Sequence, residues 1–362
     1  MNQVKTLYTK EKTLILKGNA ILLMVFHHSF RAERFFEKFD VEFGFFSIDS
    51  VISFSIMCKV CVSLFVFISG YGLYLGLTHV RTQDYSKWIY NRLLKLLANF
   101  AFVYSLCFCL ILVFHPDEIL TTFFSEGKEK GIVSIFCNIT GLQNFFGTPN
   151  LNGAWWYMSA AIFFIVAAPV VKKFIDSYGT VVAIGIVTTV PRIFIKELAD
   201  ENHIYKFVMM YVLGMIFAKK DWLNKILTYA SSDTSIRKIG RCMLEIAGCV
   251  VSYKLAVVLS DEVYWEIKYS VFPLFIILVT IEFIAAIPVV STILQWIGKY
   301  SMNIYFVHNY ARIYGGKWIY DNHFFLLASL LMLGFGFVGA ICIELLKKIF
   351  HYNRVVDKFY MK

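Results

Sequence analysis

Lys17 and His28 stand inside the first apolar stretch of the chain, residues 14–30, where an ionisable side chain is costly to keep. Eleven steps along an α-helix make about three turns, so both side chains project from one face, with Cα atoms about 16 Å apart along the axis. An imidazole in that setting can move a proton. A lysine can steer an anion, or it can lay its stem along lipid and set its ammonium among the headgroups. His27 adjoins His28 but lies about 100° round the helix, so one of the two shares the Lys17 stripe, and His28 is the candidate. Arg31 and Arg34 follow about one and two turns further on and read either as charges of a mobile loop or as substrate-facing groups.

Other residues with chemical potential accompany later apolar stretches. Arg92 and Lys95, three apart, share a helix face and suit phosphate; the alternative is ordinary anchoring at the cytoplasmic surface. Ser69-Gly70-Tyr71-Gly72 puts small residues where helices pack closely. Trp155-Trp156-Tyr157 forms an interfacial aromatic belt or a stacking surface for sugar rings. Arg192, Glu245 and Glu282 are further charges within apolar stretches, and each needs a partner or an aqueous cavity.

The elements that must position these groups are membrane helices. A hydrophobic fraction of 58% with 17% charged residues and a mean hydropathy of +0.64 lies beyond an ordinary soluble domain. Only 6 Pro and 21 Gly favour helices over an outer-membrane barrel, giving an all-α polytopic bundle. Ten stretches have the length and apolarity to span: 14–30, 54–77, 93–114, 153–171, 179–195, 204–218, 239–259, 269–287, 294–310 and 324–346. The sixth and ninth are short or polar at their ends. The segment 115–152 carries apolar patches that suit an interfacial or re-entrant helix.

The net charge of +10 raises nucleic acid as a partner, but the basic residues cluster at the ends of apolar stretches and read as topology. With the N-terminus inside, nineteen basic residues, from Lys5 to Lys362, fall on the cytoplasmic side against six opposite: Arg31, Arg34, Lys38, Lys128, Lys130 and Lys317. Acids such as Glu197, Asp200, Glu201 and Asp261 lean the other way, so both termini are expected inside. The chain reads as one domain, without a soluble appendage, a cleavable leader or an internal repeat. The eight cysteines read as buried small hydrophobes, with Cys107 and Cys109 too close for a zinc motif, and no metal site is expected.

Five segments, in order, resemble the acyltransferase family 3 integral membrane proteins. They are Leu16 to His28, with a basic residue and a histidine separated by ten residues; Leu64 to Tyr71, ending in Ser-Gly-aromatic; Arg92-Leu93-Leu94-Lys95; Trp156-Tyr157-Met158; and Ile297 to His308, with its Gly-Lys-x-Ser…Tyr…His order. Leu14 stands where the family commonly has an acidic residue, and Lys replaces the more frequent Arg at positions 17 and 95. The resemblance implies transfer of an acyl group, usually acetyl, from cytoplasmic acyl-CoA to a hydroxyl of a cell-surface sugar or polysaccharide. Acetyl-CoA or another acyl-CoA is then a co-substrate, with no tightly bound cofactor.

On that basis His28 and Lys17 are the candidate catalytic residues, and Lys17, Arg92 and Lys95 the candidate acyl-CoA ligands. Ser69, Tyr71, Trp156, Tyr157, Tyr305 and His308 are candidates for the acceptor side or the channel lining. Expected partners are membrane lipids, acyl-CoA and a surface glycan in the inner cell membrane. A secondary transporter or lipid-linked glycan flippase is the alternative, since it too needs many spans and buried charges.

Overall fold

The computed structural model describes residues 7–195, 198–200, 202–231, 234–260 and 262–361, and Lys5, Glu197, Glu201, Asp261 and Lys362 lie outside them. The described chain is a bundle of α-helices. They are α1 (Lys10–Phe30), α2 (Ile48–Met57), α3 (Cys61–Thr78), α4 (Tyr85–Phe114), α5 (Pro116–Phe124), α6 (Lys128–Ile139), α7 (Gln143–Phe146) and α8 (Tyr157–Phe194), then α9 (Tyr205–Lys220), α10 (Trp222–Ser231), α11 (Ser235–Val258), α12 (Phe272–Glu282), α13 (Pro288–Lys299), α14 (Ser301–Tyr320), α15 (Phe325–Ile349) and α16 (Tyr352–Val356). The segment 115–152 is thus helical in pieces, α5 to α7, as its apolar patches suggest.

Among the described residues, six helical stretches are long and apolar enough to cross a membrane: Lys10–Phe30, Ile48–Thr78, Thr82–Phe114, Gly153–Phe194, Ile267–Ala286 and Phe325–Ile349. Each difference from the ten expected stretches has a local cause. The fourth and fifth run together in α8, interrupted at Gly179, whose φ of 84° and ψ of 174° suit glycine alone. The sixth becomes α9, only 16 residues long, and the seventh, α11, carries Arg237, Lys238, Arg241 and Glu245. The ninth, 294–310, is not one helix. It is split at Tyr300 (φ −99°, ψ 6°) into α13, ending on Lys299, and α14, which runs on to Tyr320. A lysine in the last turn favours termination there, and an average over hydropathy does not register a one-residue break.

Helices in lipid gain little from apolar burial against one another, so close approach at small residues does the packing. α1 and α13 meet at a reciprocal glycine seam. A Cβ on Gly18 would fall 2.8 Å from the carbonyl carbon of Leu294, and one on Gly298 would fall 2.7 Å from that of Leu14. α3 and α9 repeat the device, with Gly70 against the backbone of Tyr211 and Gly214 against that of Phe67. α1 is fixed at its ends as well. Thr9 caps its N-terminus by accepting from the Lys12 amide, and the Tyr320 hydroxyl donates to the Ser29 carbonyl at 2.8 Å.

The loop after α1 is packed, not loose. Phe30 meets Phe36, Phe43 and Phe325 edge-on, Phe43 also meets Phe36 and Phe325, with ring centroids 5.4 to 6.2 Å apart, and Tyr320 joins them. The Glu42 bridge to Phe324 ties the same loop to the α14–α15 turn, with the Glu42 amide donating to the His323 carbonyl at 2.6 Å.

Candidate functional site

A cavity of about 1320 Å³ runs through the bundle, and it is lined by Lys17, His28, Ser69, Tyr71, Arg92, Lys95, Trp156, Tyr157 and Tyr305. Five helices or helix starts, on α1, α3, α4, α8 and α14, therefore bring nine of the ten sequence candidates to one space. The tenth, His308, is fully buried behind His28, with ring centroids 4.9 Å apart. The Ser-Gly-Tyr-Gly run divides its labour: Gly70 makes the α3–α9 approach, while Ser69, Tyr71 and Gly72 face the cavity. Arg92 lies against Gly76 of α3 and stacks on Trp88 at 5.2 Å. It turns inward to the cavity with Lys95 instead of serving only as a surface anchor.

Three imidazoles meet at the C-terminal end of α1. His28 lies between His27 and His308, at 4.9 Å from each ring. His27 also lines the cavity, so the helical face argument does not exclude it from that space. Its Nδ1, however, sits 2.8 Å from the Ser55 carbonyl oxygen, which makes it a donor tying α1 to α2. His308 Nδ1 faces two carbonyl oxygens, of Ile304 at 3.1 Å and Tyr305 at 2.8 Å. Carbonyls only accept, so the hydrogen resides on Nδ1 and Nε2 keeps its lone pair. That Nε2 is buried and has no hydrogen-bond partner among the described residues. Gly336 of α15 makes room for this histidine, since a Cβ there would come within 3.3 Å of His308 Cβ.

The electrostatics of the cavity are one-sided. Among the described residues it is lined by seven lysines and arginines (Lys10, Lys17, Arg31, Lys59, Arg92, Lys95 and Arg312) and by a single carboxylate, Asp221. Lys17, Arg92 and Lys95 group toward the N-terminal half of α1, and Arg31 and Arg312 toward its C-terminal end. Arg312 was missed from the sequence because the ninth stretch was closed at Tyr310, which put it in a loop. Its spacing of four from His308 on one helix face was the available signal.

The remaining buried charges lie elsewhere and have partners. Arg192 pairs with Glu266 at 2.5 Å and donates to the Val263 carbonyl at 2.8 Å. Glu282 of α12 pairs with Arg241 of α11 at 3.0 Å. These contacts join helices and do not reach the cavity. The cysteines are free thiols; Cys58, Cys61, Cys107 and Cys137 are buried, while Cys109 and Cys342 are exposed. Cys58 and Cys61 stand three apart, and Cys61 borders the cavity.

A histidine beside a roomy cavity with a cationic far end can combine proton transfer with the holding of a phosphorylated donor. Comparison with known proteins gives this arrangement its class. Neither a curated protein nor a solved structure matches the chain. A family model described as an acyltransferase domain, that of acyltransferase family 3, matches residues 15–347. The match takes in both Lys17 and His28 at one end and the whole of α14 at the other, and the chain belongs to that family: it is a multi-pass membrane acyltransferase.

Proposed function

We propose that the protein carries an acyl group, acetyl in the first instance, from cytoplasmic acyl-CoA to a hydroxyl of a cell-surface sugar or polysaccharide, in the inner cell membrane with both termini on the cytoplasmic side. The observation that carries this reading is that one cavity is lined by Lys17, Arg92 and Lys95 and also by His28. The donor's phosphates cannot cross hydrocarbon cheaply, whereas its thin pantetheine arm can thread a polar channel. Lys17, Arg92 and Lys95 hold the phosphates. The thioester then has about 16 Å to cover along α1 before it reaches His28.

A sugar hydroxyl is too weak an acid to attack a thioester unaided at neutral pH. His28 takes its proton as the oxygen bonds to the thioester carbonyl carbon. The carbon–sulfur bond breaks, the thiolate leaves with that proton, and the imidazole is restored. In the covalent variant the ring nitrogen first receives the acyl group, releases coenzyme A and then passes the group to the hydroxyl. The His308 ring packs against His28, with centroids 4.9 Å apart, and holds the orientation of the base. Trp156, Tyr157 and Tyr305 give the path aromatic walls against which a sugar ring stacks.

Mass spectrometry of surface glycans from cells with and without the gene tests this. The wild-type gene adds an acyl-sized increment, and His28→Ala, present in the membrane at equal amount, does not. Identical glycans in both strains, or ion-driven substrate flux through proteoliposomes without consumption of acyl-CoA, overturns the proposal in favour of a transporter.

A further inference from the structure

We propose that Asp221 reads the nucleoside end of the acyl donor, accepting a hydrogen bond from its adenine amino group or its ribose hydroxyl; this rests on acyl-CoA being the donor. At the N-terminal end of α1 the cavity has a rim built from Tyr8 and Lys10, from Gly76 and His79 at the end of α3, and from Asp221 and Asn224 at the α9–α10 junction. Lys10, His79 and Asp221 are exposed, so this end opens to water. Asp221 is the single carboxylate in a lining otherwise charged by cations.

Two ordinary roles would explain a carboxylate there without a ligand, and it fills neither. It forms no ion pair among the described residues, and the neighbouring Lys219 is taken by Asp176 at 3.0 Å. Nor does its side chain cap α10. The Lys225 amide bonds the Asp221 backbone carbonyl at 3.1 Å, while the carboxylate accepts from the Asn224 side chain at 2.6 Å. The dipoles of α9, which ends there, and of α10, which begins there, act on it with opposite sign. Its backbone is left-handed, with φ 54° and ψ 36°, a position after a helix that glycine or asparagine usually fills.

The carboxylate is also oriented. The Tyr8 amide donates to Asn224 Oδ1 at 2.7 Å, and Asn224 Nδ2 donates to Asp221 Oδ1, so both ends of the Asn224 amide are engaged. Tyr8 is itself buried, with its ring edge-on to Tyr71 at 5.2 Å. Asp221 Oδ2 is left without a donor among the described residues. An ionised carboxylate only accepts hydrogen bonds, and it repels phosphate. The donor's phosphates therefore go to Arg92, which lies against Gly76, and to Lys17 and Lys95, with the pantetheine arm deeper still. What remains at the rim is the nucleoside, whose amine and hydroxyl can donate to Oδ2.

Binding is measured on the full-length protein in detergent, with coenzyme A and with phosphopantetheine, which keeps the thiol arm and one phosphate but lacks the nucleoside. Asp221→Asn keeps the shape and presents an N–H where Oδ2 was; Asp221→Gly fits the left-handed backbone and removes the side chain. Both unfold at the wild-type temperature or above. Both bind coenzyme A about tenfold more weakly, while their affinity for phosphopantetheine is unchanged or higher. Charge alone predicts the opposite sign for coenzyme A, since removing a carboxylate from beside a polyanion tightens binding, most of all at low salt. Coenzyme A held as tightly or more tightly by both variants overturns the proposal, as does an equal loss for phosphopantetheine. Ethenoadenine coenzyme A, whose amine carries no hydrogen, separates the two donors: the wild type binds it as weakly as the variants bind coenzyme A when the amine is read, and at full strength when the ribose hydroxyl is. Wild-type protein that binds no coenzyme A overturns the donor reading along with this one; tight wild-type binding indifferent to Asp221 overturns this one alone.

Discussion

Replacing Gly298 with alanine sets a methyl group 2.7 Å from the carbonyl carbon of Leu14 and 3.1 Å from the Gly18 nitrogen, and nearer still to the Leu14 oxygen. Comfortable carbon contacts lie at about 3.5–4.0 Å, so α1 and α13 must part by about 1 Å. Backbone atoms cannot swing aside as a side chain can, and overpacking of this kind costs about 1–3 kcal/mol. The effect on chemistry is larger than that figure suggests, because α1 carries both Lys17 and His28. A shift of about 1 Å in a reacting group costs about a hundredfold in rate. Gly298→Ala is therefore expected to lower acyl transfer by about two orders of magnitude and to lower the melting temperature in detergent. Gly18→Ala, the reciprocal partner, behaves alike. Gly185→Ala in α8 meets nothing within 4 Å and leaves both quantities unchanged or slightly improved. The assay is release of free thiol from acyl-CoA in the presence of acceptor, with thermal unfolding followed alongside. Wild-type transfer and stability in Gly298→Ala would refute the idea that this seam fixes the site.

Other outcomes follow from the same geometry. His28→Ala loses about 10²–10⁴-fold in transfer while inserting normally, whereas His27→Ala, which forfeits the bond to the Ser55 carbonyl, costs about 1 kcal/mol of stability and less activity; equal losses in the two variants would remove the distinction. Arg92→Ala and Lys95→Ala raise KM for acyl-CoA more than they lower kcat, most visibly at low salt, and a pure kcat effect would take these residues out of donor binding. His308→Ala lowers kcat with little change in KM for acyl-CoA, and an unchanged kcat would mean that the contact with the His28 ring does no chemical work. If His28 carries the acyl group, one equivalent of coenzyme A per protein is released without acceptor and His28→Ala releases none; no release from the wild type assigns His28 to general-base catalysis.

Much of the candidate site was legible because it is local. Lys17 and His28 share a helix face by arithmetic, and Arg92 with Lys95 share another, so one period sufficed to group each pair. What joins the pairs is not local. The lining helices α1 and α3 are held by approaches between segments distant in sequence, Gly18 with Gly298, Gly70 with Tyr211 and Gly214 with Phe67. Those glycines could be read as packing residues, but not matched to partners. Arg312 was lost through a boundary. The break at Tyr300 shifts α14 toward the C-terminus and carries Arg312 one turn beyond His308 on a helix, where hydropathy had ended the span. In the loop after α1, Arg31 and Arg34 allow two readings, charges of a mobile loop or substrate-facing groups, because charge alone does not tell a solvated side chain from a held one. The loop's aromatic residues, Phe36 and Phe43 with Phe30, were the signal that it is pinned. Arg192, Glu245 and Glu282 each call for a partner or an aqueous cavity, and the partners of Arg192 and Glu282, which are Glu266 and Arg241, could be named only from coordinates.

The central claim is that one cavity connects a donor held at Lys17, Arg92 and Lys95 with an acceptor met at His28. Sealed proteoliposomes of known protein orientation test it, with acyl-CoA confined to the side of the N-terminus and a glycan acceptor to the opposite side. Acylated glycan is expected outside with free coenzyme A inside, and neither in His28→Ala. Product formed only when donor and acceptor share one compartment would contradict the account.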